Sequence, residues 1–502
     1  MRSLASPIEF ADFTSPAYKL ESPNIASSQM INLYCEVVEK GPRTGKLRIR
    51  GIPGMKTLGT LPDSPVRGLL SVDGGNRLFA VAGSTVYEVF SNGTYQQATG
   101  TINVNSQPVT IADNGFQFAI ASGGLLYMVN GTTPGAPSAI SLVSFNDGSG
   151  PVQAGTVDFL DQYFIVNQVN TKEIFISNLA PAGSVWDPGD TAYKEGYSDN
   201  IARVFCDNEQ LWLFGFETTE VWTDTGNLFP FGRIQGAVLK FGCSAPYSVA
   251  GAIGYRFWLW RGAVYAAYGL NPDRISDYGV EQAIGSYGDT SNAEGWCYVD
   301  GGHLFYVLSF PTVGQTWVFD TATAPGPVGP VPVKAWHQRM YWNNGQYQQY
   351  RGRCHAFAFN QDIVGDPVNG NLYILDKGTY TDAGGVALRR QRICPYITEN
   401  MRKMRYDRLV LDMDTGVGLS VPPATLGFDP QVIMRYSTNR GKTWGDELQT
   451  SMGQIGYDNQ RVAFRQLGSS YIGHTFDVVV TDPVPVAFNT AYLQVGQPVG
   501  GR

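Results

Sequence analysis

The sequence predicts an all-β protein with a β-propeller-like body of about seven hairpin repeats and an antiparallel β-sandwich as its C-terminal domain. Composition is the first observation: 59 glycines and 29 prolines among 502 residues indicate many tight turns. The second is a hairpin pattern that recurs through the middle of the chain, and the third is a change of periodicity near residue 398. Hydrophobic residues make up 43% and the net charge is −7, so a disordered chain and a basic nucleic-acid coat protein are excluded.

Each repeat consists of an apolar, aromatic run of strand length, a turn and a second such run. The copies recur about every 40–50 residues, the spacing of one propeller blade. A four-stranded blade cannot bury both of its faces alone, so blades stack around an axis and bury them against each other. A β-sandwich series is the alternative, but its strands would alternate more strictly and recur about every 8–12 residues. The copies lie at 76–89, 116–129, 162–177, 209–224, 255–270, 302–320 and 354–376.

The two ends of the chain differ from its middle. Strand candidates at 30–38 and 46–52 form an N-terminal arm and hairpin, placed at 1–60, which we expect to pack on the C-terminal domain because domain termini often lie close together. The propeller-like domain is placed at 61–397. The β-sandwich domain is placed at 398–502, where segments alternate apolar and polar residues as in sheets with one solvated face. These segments lie at 408–414, 431–438, 461–468, 474–482 and 491–496.

No residue pattern nominates a catalytic, cofactor-binding or metal site, and we expect no enzyme and no cofactor. The six cysteines are scattered without a CxxC pair, which favours small buried core residues. The four histidines are isolated, and no hydrolase, phosphate-loop, zinc-protease or dinucleotide motif occurs. No apolar stretch reaches the ~18 residues of a membrane span, and the start lacks an apolar signal core. We therefore expect no stable membrane association, and we expect the protein to be made in the cytoplasm.

The segment RYSTNRGKTWGDE at 435–447 resembles an Asp-box, the Ser-x-Asp-x-Gly-x-x-Trp turn of sialidase propellers. Such turns are structural, because short polar side chains hold the turn and the tryptophan packs beneath it. One copy outside the repeats gives little support to a glycosidase, which would need two carboxyl groups at about 5 Å. The pattern is occupied by Ser437, Asn439 in place of Asp, Gly441, Thr443 and Trp444.

The densest basic cluster, at 389–408, is the first candidate interaction surface. Arginine suits docking to an acidic partner or to phosphates because its guanidinium is a rigid fork. The chain also uses arginine far more than lysine, as interfaces do. A solvated linker face is the other interpretation. The basic members are Arg389, Arg390, Arg392, Arg402, Lys403, Arg405 and Arg408.

The polar, aromatic segment at 340–352 is the second candidate. Its aromatic side chains are typical of a protein-contact tip. A sugar-stacking platform and a plain blade insertion remain open as alternatives. The aromatic members are Tyr341, Trp342, Tyr347 and Tyr350.

Several segments resemble the tail hub proteins of short-tailed, podovirus-type phages, also called tail nozzle or packaged-DNA stabilisation proteins. The most specific stretch is LWLFGFETTEVWTDTGN (211–227) followed by FPFGRIQGAVLKFGCSAPYSVA (229–250). Relatives often carry Pro where this chain has Cys35, and we see no function put in doubt by that difference. Together the matching segments extend over most of the chain. The others are INLYCE (31–36), GIPG (51–54), YDRLVLDMDTGVG (406–418) and RYSTNRGKTWGDE (435–447).

The resemblance implies a structural protein of the virion tail, assembled in the host cytoplasm, with no catalytic residues to carry over. It implies a homohexameric ring below the portal and its adaptor ring, which extends the DNA ejection channel and retains packaged DNA. Tail fibre, spike or needle proteins would attach to this ring. Viral DNA would pass through the lumen without sequence-specific binding. We expect an acidic or neutral lumen, because a basic wall would grip the phosphates.

Two other functions are compatible with the predicted fold. A receptor-binding or glycan-processing β-propeller would carry paired carboxylates in a cleft at the blade tops. A cellular protein-interaction propeller would remain a monomer at micromolar concentration. The extended motif match favours the phage tail over both.

Overall fold

The computed structural model describes residues 7–20, 27–40, 43, 45–131, 135, 139–146, 150–180, 185–323, 334–400 and 402–496. Almost all regular structure in this part of the chain is β-strand. Short strands come first, before the repeats: β1 (Ile8–Glu9), β2 (Gln29–Ile31), β3 (Leu33–Val37), β4 (Leu47–Gly51) and β5 (Gly54–Thr60).

In the residues that the structure describes, the middle of the chain forms a long succession of strands with one α-helix. They are β6 (Val66–Val72), β7 (Arg77–Ala82), β8 (Thr85–Val89), β9 (Tyr95–Gln97), β10 (Thr110–Asp113), β11 (Gln117–Ser122), β12 (Leu125–Asn130), β13 (Ile140–Val143), β14 (Ala154–Leu160), β15 (Tyr163–Gln168), β16 (Glu173–Ser177), β17 (Trp186–Tyr193), β18 (Ile201–Asp207), β19 (Gln210–Gly215), β20 (Thr219–Asp224), β21 (Phe231–Leu239), β22 (Ala250–Ala252), β23 (Tyr255–Trp260), β24 (Ala263–Tyr268), β25 (Asn271–Arg274), α1 (Tyr278–Gly285), β26 (Glu294–Asp300), β27 (His303–Phe310), β28 (Gln315–Asp320), β29 (Trp336–Gln338), β30 (Met340–Asn343), β31 (Gln346–Gln349), β32 (Cys354–Ala358), β33 (Gln361–Gly365) and β34 (Asn371–Asp376).

The C-terminal part adds longer strands. They are β35 (Arg390–Ile393), β36 (Met404–Met413), β37 (Gln431–Ser437), β38 (Leu448–Ser451), β39 (Val462–Arg465), β40 (Ser469–Ser470), β41 (Thr475–Val480) and β42 (Ala487–Gly496). Short 3-10 helices lie at Ala11–Thr14, Asp73–Gly75, Pro246–Ser248, Thr321–Thr323 and Ala383–Gly385.

Six separate four-stranded sheets form most of the propeller-like ring. Five are consecutive and antiparallel: β6–β9, β10–β13, β14–β17, β18–β21 and β22–β25. The sixth has the order β32-β33-β34-β5, so a strand from the start of the chain completes a sheet from the end of the propeller. Every residue of β7 is buried, because neighbouring sheets cover both of its faces.

The first strands of these six sheets, together with β26 of a larger sheet, contact one another around a closed ring. Each strand contacts the next in the series β6, β10, β14 and β18. A second series runs from β22 to β26 and β32, and β32 contacts β6. The 3-10 helix at Pro246–Ser248 contacts both β18 and β26 and so bridges the remaining gap. This arrangement confirms the all-β, propeller-like body that the repeats predict.

The prediction of about seven hairpin repeats needs correction to six separate four-stranded sheets, because one of the hairpins belongs to a larger sheet. The hairpin at 302–320 falls on β27 and β28, which belong to a nine-stranded sheet of order β26-β27-β28-β29-β2-β35-β41-β37-β38. The sheet continues because β29 pairs in parallel with β2, with Ile31 opposite Gln338. One sheet therefore runs from the propeller into the C-terminal part.

The sandwich consists of the far end of this nine-stranded sheet and a seven-stranded sheet. The second sheet has the order β3-β4-β42-β36-β39, with β1 and β40 paired to β42 and β36. Strand β36 alternates as predicted, with Leu409, Leu411 and Met413 buried and the residues between them partly exposed. The shared core also includes Met434 and Val478 from the opposite sheet. The C-terminal β-sandwich is thus confirmed.

The N-terminal strands lie within these sheets. Strands β3 and β4 pair with each other, and β4 pairs with β42, with Ile49 opposite Phe488. The domain boundaries at 60/61 and 397/398 stay a proposal. Among the described helices, none is long and apolar enough to cross a membrane.

Candidate interaction surfaces and the propeller axis

The basic segment at 389–408 is divided by the fold into a buried and an exposed half. Arg390 and Arg392 lie on β35, with relative exposures of 1% and 0%. The guanidinium of Arg390 donates to the carbonyl oxygens of Asp482 and Tyr380, each at 3.1 Å. These contacts lie inside the chain, so Arg390 is not available to a partner.

Arg392 holds the N-terminal segment against β35. Its guanidinium donates to the carbonyl oxygens of Phe13 (2.9 Å), Asp12 (3.1 Å) and Ser15 (2.8 Å). Burial lowers the pKa of Arg392, and no carboxylate lies within ion-pair distance of it in the described part of the chain. The predicted interface role is therefore wrong for Arg390 and Arg392, because both side chains are buried and donate to carbonyl oxygens of the same chain.

Arg389 joins the two segments that the sequence nominated separately. Its guanidinium lies 4.4 Å from the ring of Trp342 and 6.0 Å from that of Tyr347, on the β30–β31 hairpin. The Tyr347 hydroxyl donates to Gln391 at 2.7 Å. Trp342, Tyr347 and Arg389 are all partly exposed, so they remain accessible.

The other two aromatic candidates are internal. Tyr350 is 2% exposed and packs near Arg339, and Tyr341 is buried with the Arg351 guanidinium 4.5 Å from its ring. Both belong to an apolar cluster between the propeller sheets. The predicted contact role is wrong for these two residues, because the hairpin turns them inward.

The exposed half of the basic segment forms a larger patch with a neighbouring strand. Arg402 and Arg405 are exposed, and Arg405 pairs with Asp407 at 2.6 Å. Lys403 lies 5.3 Å from the ring of Tyr471, which is 56% exposed. We call Arg402, Lys403, Arg405, Arg408, Arg461 and Arg465 the sandwich basic patch.

Strand register places two arginines of this patch side by side. Arg408 on β36 is directly opposite Arg465 on the edge strand β39. Burial lowers the pKa of Arg408, and the charges of Arg461 and Arg465 lower it further. None of these three makes an ion pair with a described residue, so the patch carries unbalanced positive charge. The sequence cluster missed Arg461 and Arg465 because they lie far along the chain, although the alternation of 461–468 marks Arg465 as outward-facing.

A polar cavity of about 440 Å³ lies where the first strands of the propeller sheets converge. Five charged side chains line it: Arg67, Asp158, Arg203, Glu294 and Arg353. The hairpin repeats do not point to these residues, because they lie on or next to the strand that precedes each hairpin. A charged residue in that strand is the signal that could have found them.

Arg353 and Glu294 form a two-pronged ion pair in this cavity. Arg353 donates through Nε at 2.9 Å and Nη2 at 2.7 Å to the two carboxylate oxygens. Burial raises the pKa of Glu294, and the Arg353 guanidinium opposes that shift. Each of these charges therefore has a partner.

Asp158 and Arg203 are held differently. The Asp158 carboxylate accepts hydrogen bonds from the backbone N–H groups of Cys206 (2.7 Å) and Phe159 (2.9 Å). Burial raises the pKa of Asp158 to about 6, even though these hydrogen bonds favour the charged form. The Arg203 guanidinium donates to the Pro246 carbonyl oxygen at 2.9 Å, and its buried Nε has no partner in the part of the chain that the structure describes.

A third charged cluster joins the propeller to the sandwich. His303 on β27 contacts Asp320 through Nδ1 at 2.7 Å and Glu36 of β3 through Nε2 at 3.8 Å. Burial alone would lower the pKa of His303, but the hydrogen bonds to Asp320 and Glu36 raise it to about 9. A protonated His303 therefore links strands from the two parts of the molecule.

The turn at 435–447 has the geometry of a structural turn. The Ser437 hydroxyl accepts from the Gly441 N–H at 2.8 Å, and the Asn439 side-chain oxygen accepts from the Thr443 N–H at 2.9 Å. Gly441 has a φ of 84°, which favours glycine. Trp444 lies beneath Arg435 at 5.5 Å.

The cysteines contribute no disulfide, since all six are free thiols in the structure. Burial raises the pKa of Cys35 and Cys394 to about 12. Within the described ranges, no group of three or more His, Cys, Asp or Glu side chains is placed to hold a metal ion.

The ring of four-stranded sheets, joined to a sandwich through one shared sheet, defines a two-part propeller–sandwich protein. Two family models match these parts in succession: bacteriophage P22 Gp10, beta-propeller, over residues 18–380, and bacteriophage P22 Gp10, beta-sandwich, over residues 389–496. The chain therefore belongs to the bacteriophage P22 Gp10 family of podovirus tail nozzle proteins. This is a family of structural phage tail proteins, so the resemblance drawn from the sequence motifs is confirmed.

Solved structures are similar at low identity. A streptogramin B lyase shares 9% identity with a TM-score of 0.43, over 64% of this chain and 97% of its own. A virginiamycin B lyase from Staphylococcus aureus shares 7% identity with a TM-score of 0.42, over 64% of this chain and 98% of its own. An extracellular domain from B. thetaiotaomicron shares 11% identity with a TM-score of 0.42, over 91% of this chain and 60% of its own. No curated protein matches the chain by sequence.

Proposed function

We propose that this protein is the subunit of a nozzle ring that extends the DNA ejection channel below the portal and adaptor of a short-tailed phage. One observation carries the proposal: the propeller and sandwich of the P22 Gp10 family match in succession over residues 18–380 and 389–496. Six copies assemble in the host cytoplasm into a homohexamer. The ring retains packaged DNA and supports fibre, spike or needle proteins. Its action is steric and mechanical rather than catalytic.

Closed rings of identical subunits need two different faces that meet. The sandwich basic patch is our candidate for one face. It is supported by the exposure of Arg402 and Arg405, by the unbalanced Arg408–Arg465 pair, and by the neighbouring exposed ring of Tyr471. An acidic surface on the next subunit or on the adaptor would relieve the repulsion within the patch.

The ring lumen is proposed to be acidic or neutral, so that DNA slides through it without sequence-specific binding.

A second accessible contact is the group formed by Arg389, Trp342 and Tyr347, a guanidinium on an aromatic platform of the kind found at interfaces. This group is a candidate for the attachment of fibre or needle proteins.

Negative-stain electron microscopy of phage particles with and without this protein tests the proposal. We expect a six-fold tail segment only in particles that contain the protein, and leakage of DNA from particles that lack it. Particles that lack the protein yet keep an unchanged tail and their DNA would contradict the nozzle function. Restoring the protein to the deficient particles should restore the segment, which controls for other assembly defects.

A further inference from the structure

The axial cavity contains more buried positive charge than its own carboxylates neutralise. Arg353 and Glu294 pair with each other. Arg67 is 1% exposed, Arg203 is partly exposed, and neither has a carboxylate within ion-pair distance in the described ranges. Asp158 is the remaining acid, and both of its oxygens already accept backbone hydrogen bonds. Buried charges are normally paired, so this imbalance is unusual.

The two unpaired arginines differ in how their N–H groups are used. Arg67 donates to the carbonyl oxygens of Gln107 (2.7 Å) and Gly83 (2.8 Å) and to the Ser122 hydroxyl (2.5 Å), so its donors are satisfied. Among the described residues, Arg203 makes one hydrogen bond, to Pro246, and its buried Nε has no partner. Arg203 thus keeps unused donor capacity inside the cavity.

Trp296, which lines the same cavity, carries a second unsatisfied donor. The indole N–H of Trp296 is buried without a hydrogen-bond partner among the described residues. Its ring is fixed by stacking on His355, with ring centroids 5.4 Å apart and an interplanar angle of 12°. A buried donor without a partner destabilises the folded chain, so a ligand that accepts a hydrogen bond from it would be bound more tightly.

Electrostatic contacts show that these charges meet at one place. Tyr247, on the 3-10 helix that bridges the ring, lines the cavity. Burial raises the pKa of its phenol, and the charges of Arg203, Arg67, Glu294 and Arg353 all act on it. The cavity volume of about 440 Å³ accommodates a small ligand beside this phenol.

We propose that the axial cavity binds a small oxyanion of the phosphate or carboxylate type, with Arg203 as its main cation and Trp296 as a further donor. A guanidinium fork matches two oxygens of such an anion and forms strong, charge-assisted hydrogen bonds in a buried site. The anion would neutralise the excess charge and satisfy both free donors. This site does not depend on the nozzle function, because it lies within one subunit.

Isothermal titration calorimetry of the full chain with inorganic phosphate, at constant ionic strength in NaCl, tests the proposal. We expect saturable binding of one phosphate per chain. Arg203→Met should weaken it about ten- to a hundredfold, the range for a lost charged hydrogen bond. Arg261→Met is the matched control, because it removes the same charge from an exposed position outside the cavity. It should leave the affinity unchanged.

Two further measurements keep the test decisive. Trp296→Phe keeps the stacked ring and removes only the N–H, so it should weaken phosphate about three- to tenfold even if Arg203→Met does not fold. A parallel titration with acetate separates the two anion types: stronger phosphate binding assigns a phosphoryl ligand, and stronger acetate binding assigns a carboxylate. Absence of saturable binding of both anions would overturn the proposal, as would equal weakening by Arg261→Met.

Discussion

The two halves of the basic segment at 389–408 show how differently the same residue type is used. Arg392 lies on a central strand of the nine-stranded sheet and donates to four carbonyl oxygens, those of Asp12, Phe13, Ser15 and Gln29. Arg405 and Arg408 lie on β36, next to the edge strand β39, where Arg405 is exposed and pairs with Asp407, and Arg408 is partly exposed beside Arg461 and Arg465. Whether an arginine stabilises the fold or is available to a partner therefore depends on where its strand lies in the sheet, and not on the local density of charge.

Replacing the buried arginine should have the largest effect. Arg392→Met would leave the carbonyl oxygens of Phe13, Asp12 and Ser15 without their charged donor. We expect the free energy of unfolding to fall by about 4 kcal/mol, the upper range for loss of a buried hydrogen-bonded network. Urea denaturation followed by intrinsic fluorescence measures this change.

Arg402→Met is the control for the buried substitution. It removes the same charge from an exposed position and should change the free energy of unfolding by less than about 0.5 kcal/mol. Equal losses in the two variants would contradict the division of the segment into a buried and an exposed half.

His303 is another buried cation, and unlike the arginines it can lose its charge when the pH is raised. Its pKa is raised from 6.5 to about 9 by Asp320 and Glu36, despite the opposing effect of burial. The stabilisation is therefore fully present below pH 6.5 and is lost as the pH rises through about 9. Burial raises the pKa of Glu36, but His303 and Arg48 lower it to about 2, so its contribution is lost as the pH falls from 4.5 towards 2.

The variant His303→Gln tests this window. At pH 6 the free energy of unfolding of the wild type should be higher than that of the variant by up to about 3 kcal/mol. This difference should shrink progressively between pH 7 and 10. Urea denaturation of both proteins at pH 6, 8 and 10 gives the difference directly, and effects of other titrating groups cancel in it. A difference that is constant with pH would show that His303 acts through packing alone.

Much of the fold follows from the sequence. The apolar hairpins at 76–89 and 209–224 fall on β7–β8 and β19–β20, and the alternating segment at 408–414 lies within β36. These predictions succeed because burial on two faces or on one leaves a direct trace in hydrophobic periodicity. The family motifs extend the same prediction to a tail nozzle.

Strand pairing over long distances leaves no such local trace. Nothing in the sequence of β5 says that it completes the sheet of β34, or that β2 connects β29 to β35. The same limit explains the interface prediction, since Arg390 and Arg392 read as one charge cluster with Arg405 until the sheets are assembled. It also explains why Arg465 was missed, because only the register with β36 places it opposite Arg408.

A small rise in stability, and the most direct test of the exposed half, should come from Arg465→Glu. A carboxylate opposite Arg408 replaces repulsion by attraction across β36 and β39, so the free energy of unfolding should rise by about 0.5 kcal/mol.

If the sandwich basic patch meets an acidic surface, the same change should lower the yield of rings in negative-stain images, and the double variant Arg402→Glu, Arg405→Glu should lower it further. Lys56→Glu, an equal charge change on the exposed part of β5, should leave ring yield unaltered. A protein that is more stable and yet assembles less well would separate the two roles of charge here, because internal packing cannot account for both effects. Unaltered ring yield in the Arg465 and Arg402/Arg405 variants would remove the patch from the interface.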